Sequence, residues 1–334
     1  MRLLTAAAAL FAILSSLPAV AACDPGERAF TFSHTGPERG SARGEAAAML
    51  AERINTELEG RACMTVTHLA TDHSEAGLVE AIRARQFDFG AADTGTLGDL
   101  SARFLVYELP FLFDGIEAVL HFNGSSTGQQ LLGAAAPAGL SGLALWLDGF
   151  EQLTADRAIA APEDAAGLVF AATGSPLEAA YFTVLDGSFV ELSRQEVFNA
   201  LRDGVIQGQN ASFSAIFSEG LETVQASATE TDHVVSHLVL LTSTQTWEGL
   251  DPGLRAELTR IIREVTHERN RLVYELNEAA KFRLMQRGLS IRALSAEERL
   301  NWKRAMQPVW FEFGGEIGFD QISAAIYANR VSRR

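Results

Sequence analysis

Apolar positions along the chain recur in two rhythms. Short apolar runs at 29–34, 64–67, 87–92, 143–147 and 168–172 are rich in Phe, Val, Leu and Ala and are bounded by polar, Gly or Pro residues. Such runs read as strands. Between the first two, Ala46, Met49, Leu50, Ile54 and Leu58 recur at helical spacing, and Gly60 stands just past them where a C-cap belongs. A shorter helix is predicted over 77–85. Strands alternating with helices predict a parallel α/β sheet. Pro162-Glu163-Asp164-Ala165-Ala166-Gly167 opens a second unit of the same kind. Ligands of such sheets bind beyond the carboxyl ends of the strands, where His34, Asp93 and Thr94 fall.

Thr173-Gly174-Ser175-Pro176-Leu177-Glu178 follows the 168–172 strand. Ser175 suits an N-cap, Pro176 the first turn and Glu178 a capping box. A helix start turned into a cleft attracts anions; an ordinary capped helix is the plainer alternative. The longest helical pattern covers 251–287, with Leu254, Leu258, Ile261, Val265, Leu272, Leu276, Ala279 and Ala280 spaced by threes and fours. About 36 residues make a rod of roughly 54 Å, long enough to run across two domains as a shared spine. The apolar spacing lapses around Glu268-Arg269, which disfavours a coiled coil. Ser295 and Glu298 form another capping box before a last helix.

The first residues stand apart. Arg2 precedes an almost unbroken apolar run to Leu17, and the small residues Ala19, Val20, Ala21 and Ala22 follow. This is the layout of a signal peptide over 1–22, too short for a membrane span, so the mature chain is expected outside the cytoplasm. The two cysteines, Cys23 and Cys63, then favour a disulfide closing a loop of about 40 residues. Val20-Ala21-Ala22-Cys23 also fits a lipoprotein processing site, which would lipidate Cys23 and leave Cys63 a free thiol.

The chain has 334 residues, 47% hydrophobic and 21% charged, with 27 basic against 42 acidic side chains and a net charge of −15. This is a folded composition of about two domains, and its acidity argues against nucleic acid as a partner. HExxH, CxxC, Walker and GxGxxG motifs are missing, so no metal or cofactor is expected. His68 and His73 flank Asp72 with a spacing that favours a loop over a metal site. His233 and His237 would share a helix face, but their surroundings read as a strand. Gly124-Ser125-Ser126-Thr127-Gly128 satisfies G-x-S-x-G, and Asp232 and His233 complete a hydrolase order. The segment before Ser126 reads as an amphipathic helix, whereas a nucleophile elbow needs a strand. A secreted serine hydrolase is therefore the disfavoured alternative.

Several segments together resemble the dicarboxylate-binding, DctP-like solute-binding proteins of tripartite ATP-independent periplasmic (TRAP) transporters. They are Phe32-Ser33-His34, Leu109-Pro110-Phe111-Leu112-Phe113, Pro162 to Leu168, and Glu196-Val197-Phe198-Asn199-Ala200-Leu201 through Gly208-Gln209-Asn210. The resemblance implies a two-lobed periplasmic binding protein, type II-like, with a long helix spanning both domains. It implies domain I over 27–150 plus about 238–270, and domain II over 151–237 plus about 271–334. It implies a monomer that captures a small organic solute, normally a carboxylate or C4-dicarboxylate, and delivers it to membrane permease subunits without catalysis. A sensor that keeps the fold but not transport is the other alternative.

The resemblance also marks departures. The family's carboxylate-clamping Arg falls on Ala171, and a second basic position falls on Glu151. The expected solute is then neutral, zwitterionic or cationic toward Glu151, or Arg39 or Arg43 restores the missing charge. His34, Thr94, Trp146, Glu151, Ala171, Ser175, Asn210 and Phe213 form the expected binding set.

Overall fold

The computed structural model describes residues 23–68 and 74–333. The expected signal peptide, and the Asp72 and His73 of the expected loop, lie outside the described residues. The strands are β1 (Arg28–His34), β2 (Ala62–His68), β3 (Phe89–Asp93), β4 (Leu140–Phe150), β5 (Gln152–Ala155), β6 (Val169–Ala172), β7 (Ser188–Glu191), β8 (Gly208–Ala211), β9 (Ser227–Glu230), β10 (Val235–Ser243) and β11 (Ser290–Ala293). The α-helices are α1 (Ala42–Glu57), α2 (Glu75–Arg83), α3 (Thr94–Leu97), α4 (Ile116–Gly124), α5 (Ser126–Leu131), α6 (Pro176–Val184), α7 (Arg194–Arg202), α8 (Phe213–Ser218), α9 (Thr244–Glu248), α10 (Pro252–Gln286), α11 (Ala296–Ala305), α12 (Gln307–Ile317) and α13 (Phe319–Ser332).

Two sheets result, each the core of one lobe. The first has the order β2-β1-β3-β10-β4, and the second β11-β9-β5-β8-β6-β7. β1, β2 and β3 are parallel, as the strand–helix alternation predicts, while β10 runs antiparallel to β3 and β4. In the second sheet β6, β7 and β8 are parallel and β5 is antiparallel to β8 and β9. The chain leaves the first sheet at Glu151, between β4 and β5, and returns through 231–234, between β9 and β10.

Two placements differ from the expected domain division. β10 already begins at Val235, so 235–237 belong to the first sheet. The C-terminal segment also does not stay with the second lobe: α13 packs on α4 and α5 of the first. Its contact residue Asn329 donates to Leu112 O (2.7 Å) and accepts from Asp114 N (3.0 Å).

The helix α10 is the spine that the periodicity predicts, 35 residues and so about 52 Å long. Asp251 caps it through Gly253 N and Leu254 N, and Gly288 follows at φ 97°, the left-handed region that glycine fills without strain. Leu258, Ile261, Ile262 and Val265 are buried in the first lobe's core with Phe30, Phe32 and Phe89; Ala280 and Leu284 are buried in the second lobe's core. The lapse at Glu268-Arg269 has a cause. There the helix crosses the edge of β4 and buries polar side chains that complete its ladder. Asn270 accepts from Leu147 N (3.0 Å) and donates to Leu145 O (2.9 Å). Arg269 donates to Leu147 O and to Ala42 O (3.0 Å), and burial lowers its pKa to about 10. Further along, Asn277 donates to Asp148 O (3.0 Å) and accepts from Ser214 N (3.0 Å), so one side chain ties the two lobes together.

Cys23 and Cys63 are bonded, with Cα atoms 5.6 Å apart. A bonded Cys23 has no thiol left for a lipid, which overturns the lipoprotein alternative. The bridge ties the start of the described chain to β2. Replacing both cysteines by serine is expected to cost roughly 3–4 kcal/mol in the loop-entropy picture, measured as a lower urea midpoint.

Candidate functional site

The two sheets meet where their connecting segments cross, and four of the side chains gathered there are acidic. From the first lobe come Asp93 and Thr94, at the junction of β3 and α3, and Glu108. Glu151 stands on the crossing itself. From the second lobe come Ser175, Glu178 and Tyr181 around the start of α6, and Arg194 at the start of α7. The lobes are closed on a cavity of about 30 Å³, room for little more than a water or two.

The hydrogen bonds show how the acids are held. Ser175 caps α6 by accepting from Leu177 N (3.2 Å). Glu178 reaches back past the cap to Thr173, whose backbone N–H and hydroxyl both donate to its carboxylate. The anion that a helix start favours is thus supplied by the chain itself. Asn210 Nδ2 lies between two of the acids and donates to Glu151 Oε2 and to Glu178 Oε1 (3.3 Å). Asn210 Oδ1, the Tyr181 hydroxyl and Glu108 Oε2 are buried without a hydrogen bond of proper geometry.

Burial, then repulsion by Glu178, pushes Glu151 up to about 8 and holds Glu108 well above the carboxylate range. Glu178 is also raised, by burial. Arginines partner the remaining acids. Arg43, 3% exposed, forks onto Asp93 (2.9 and 3.1 Å) and pairs with Glu75. Burial would raise Asp93, but Arg43 and then Arg194 hold it low. Arg194 spans the cleft on two long contacts, 3.5 Å to Glu219 of its own lobe and 3.9 Å to Asp93 of the other. Its Nε has no hydrogen-bond partner.

A family model described as bacterial extracellular solute-binding protein, family 7, matches residues 32–316. The chain belongs to family 7. It is 33% identical over 98% of both chains to the C4-dicarboxylate-binding periplasmic protein DctP of Vibrio cholerae. A TRAP periplasmic solute-binding protein from Shewanella oneidensis, solved with bound succinate, superposes with a TM-score of 0.87 at 28% identity, covering 91% of this chain and 99% of that one. A second, from Pseudomonas aeruginosa with bound L-malate, gives 0.82 at 31% identity, covering 85% and 99%. This family 7 member is therefore a periplasmic solute-binding subunit of a TRAP transporter, which takes up a small molecule and delivers it to membrane permease subunits. The relatives are binding proteins rather than enzymes.

The hydrolase alternative has no support in the fold. Ser126 opens α5 directly after α4, with Ser125 capping it through Gly128 N, so no strand precedes the serine. His233 and His237 do not share a helix face: His237 lies on β10, and burial holds both near pKa 3.

Of the expected binding set, Thr94, Glu151 and Ser175 line the cleft, and Asn210 touches it through Glu151 and Glu178. The other four lie elsewhere. Trp146 is fully buried in the first lobe, stacked on Phe32 (6.0 Å) and bonded through Nε1 to Thr266 of α10 (2.9 Å). Ala171 and Phe213 belong to the second lobe's core. His34 is buried at the end of β1, beside Phe32. Arg43 does not restore a free charge, because Asp93 and Glu75 already hold it, and Arg39 is exposed. Sequence reasoning missed Glu108, Tyr181 and Arg194, and gave Glu178 only a capping role. Glu108 directly precedes the Leu-Pro-Phe segment, and that adjacency was the one available signal.

Two outcomes are expected here. A methyl group on Gly95 would press on Glu108 Oε1 and lie 3.0 Å from Ser175 Cβ across the cleft. Gly95→Ala should wedge the lobes apart and weaken solute binding roughly tenfold, with a larger radius of gyration in small-angle scattering. The second concerns pH. Glu151 holds its proton up to about 8 in the folded chain and releases it near 4.5 when unfolded. At this group the folded state therefore binds more of the proton between these values, and Glu151's contribution to stability falls as pH rises from about 4.5 to about 8. Urea titrations across that window should show a shallower decline in Glu151→Gln than in the parent.

Proposed function

We propose that the solute is a small carboxylate, bound in the cleft between the sheets with Arg194 as its cationic contact. The carrying observation is Arg194 itself. It is the basic side chain lining the cavity, its two ion-pair contacts exceed the 2.7–2.9 Å usual for charge-assisted hydrogen bonds, and its Nε is unpartnered. A planar carboxylate entering from the open cleft can take up these donors in the forked geometry that guanidinium favours. The carboxylates bound by the two solved relatives fit this reading. Ala171 cannot take the part, being buried in the second lobe's core.

Entry requires the lobes to separate, since the closed cavity is far smaller than such a solute. The two crossings, at Glu151 and at 231–234, supply the hinge, and Glu151 N donates to Val234 O (3.0 Å), so they move as a pair. Closure brings Arg194 toward Asp93, and the closed form is the one presented to the permease.

Calorimetry and thermal shift with small mono- and dicarboxylates, including hydroxy- and amino-substituted ones, test the reading. At least one should bind, and Arg194→Gln should weaken it roughly tenfold or more. Unchanged affinity in that variant would remove Arg194 from the site.

A further inference from the structure

The cleft carries a second polarity that a carboxylate does not answer. Beside Arg194 the wall is crowded with carboxyl groups. Glu108, Glu151 and Glu178 line it, and Asn210 spends its Nδ2 on two of them while leaving Oδ1 unpaired. Tyr181, 1% exposed, lines the same cavity, its hydroxyl beside Asn210 without a hydrogen bond of proper geometry among the described residues. Donors within reach are few: Thr173 serves Glu178 alone, Ser175 lies by Glu108, and Arg194 is shared by Asp93 and Glu219 while acting on Glu151 and Glu178 only at longer range. A buried polar group without a partner is costly, and a surplus of acceptors is best relieved by a group that only donates.

We infer that the solute is an amino carboxylate, whose carboxylate faces Arg194 and whose protonated nitrogen lies against the wall that carries Glu108, Glu151 and Glu178. This rests on the carboxylate reading above and adds the chemistry of the solute's other end. An ammonium brings three N–H donors and a positive charge, and answers both deficits at once. A second carboxylate in that place would repel Glu178 and drive Glu108 and Glu151, already pushed toward their protonated forms, further the same way. Among the described residues these three acids do not offer one oxygen each within 4.8 Å of one another, so neither a divalent cation nor one ammonium bonds all three at once; the nitrogen's donors divide between part of the wall and the open cleft. The histidines behind the wall stay neutral, so they bring no counter-charge.

The test compares matched pairs on the mature chain by calorimetry at neutral pH: β-alanine against malonate, γ-aminobutyrate against succinate, δ-aminovalerate against glutarate, with Ca²⁺ alone as a further arm. At least one amino acid should bind roughly tenfold or more tightly than its dicarboxylate partner. Glu151→Gln keeps an acceptor for Asn210 and removes the carboxyl that an ammonium would draw into its ionised form, so it should reduce that preference by a similar factor; Glu108→Gln provides the same reading should the first variant fold poorly by circular dichroism. Dicarboxylates binding tighter in every pair, no pair showing a preference, or stabilisation by Ca²⁺ alone would overturn the inference. If the dicarboxylates bind and depend on Arg194, only the nitrogen assignment falls. If no probe depends on Arg194, the carboxylate reading falls with it.

Discussion

Three glutamates brought to one dry wall are the constraint on which the rest of the site depends. A carboxylate removed from water must keep its proton, find a cation or collect donors. Each route is used in part. Glu178 collects Thr173 and a share of Asn210, while Glu108 and Glu151 are driven toward their protonated forms by burial and by Glu178. Arg194 reaches the cleft but is divided between Asp93 and Glu219. The protein's own groups thus supply few donors to the acids of the cleft. A binding protein benefits from that arrangement, because a solute that supplies what is lacking changes the balance between open and closed forms by its differential interaction alone.

The scaffold leaves few degrees of freedom for that change. Two connections, the helix α10 and the C-terminal segment that brings α13 back onto the first lobe join the lobes, and α10 is anchored at both ends in different cores. Its polar middle is as specific as its apolar ends. Asn270 and Arg269 satisfy the exposed edge of β4, which would otherwise present unpaired backbone groups. Asn277 then holds Asp148 and Ser214 together. Motion is therefore confined to the cleft side, where Gly95 allows Glu108 and Ser175 to approach across the gap.

How far the sequence led depends on whether a feature is local. The strands, the long helix and the cap at Ser175 follow from spacing within a dozen residues, and the structure has them where the pattern puts them. Even the lapse at Glu268-Arg269 is legible afterwards as a polar crossing. Trp146 and Phe213 went astray because an aromatic residue near a strand end looks the same whether it faces a ligand or a core, and here Phe32 and the second lobe's core claimed them. Glu108, Tyr181 and Arg194 meet only because two lobes close on each other. No periodicity links positions so far apart, and each of them reads as an ordinary loop or helix residue until the sheets are placed.

Position 151 shows why the change of charge matters more than its size suggests. Its side chain faces the cleft, while its backbone is part of the hinge: Glu151 N bonds Val234 O, and Glu151 O lies 3.2 Å from His233 Nδ1 and 3.4 Å from Thr231 Oγ1. A basic residue there would present donors to an incoming acid, whereas the glutamate presents acceptors from the same rigid point. Burial keeps Glu151 protonated up to about 8, and of the nearby cations only Arg194 pulls it back. Arg43 is spent on Asp93 and Glu75, and burial keeps His233 uncharged down to about 3. Asn210 contributes a dipole but no charge. Arg194 is the positive group that reaches Glu151, but its close contacts are Asp93 and Glu219, so a donor on the solute would add what Arg194 supplies only at longer range.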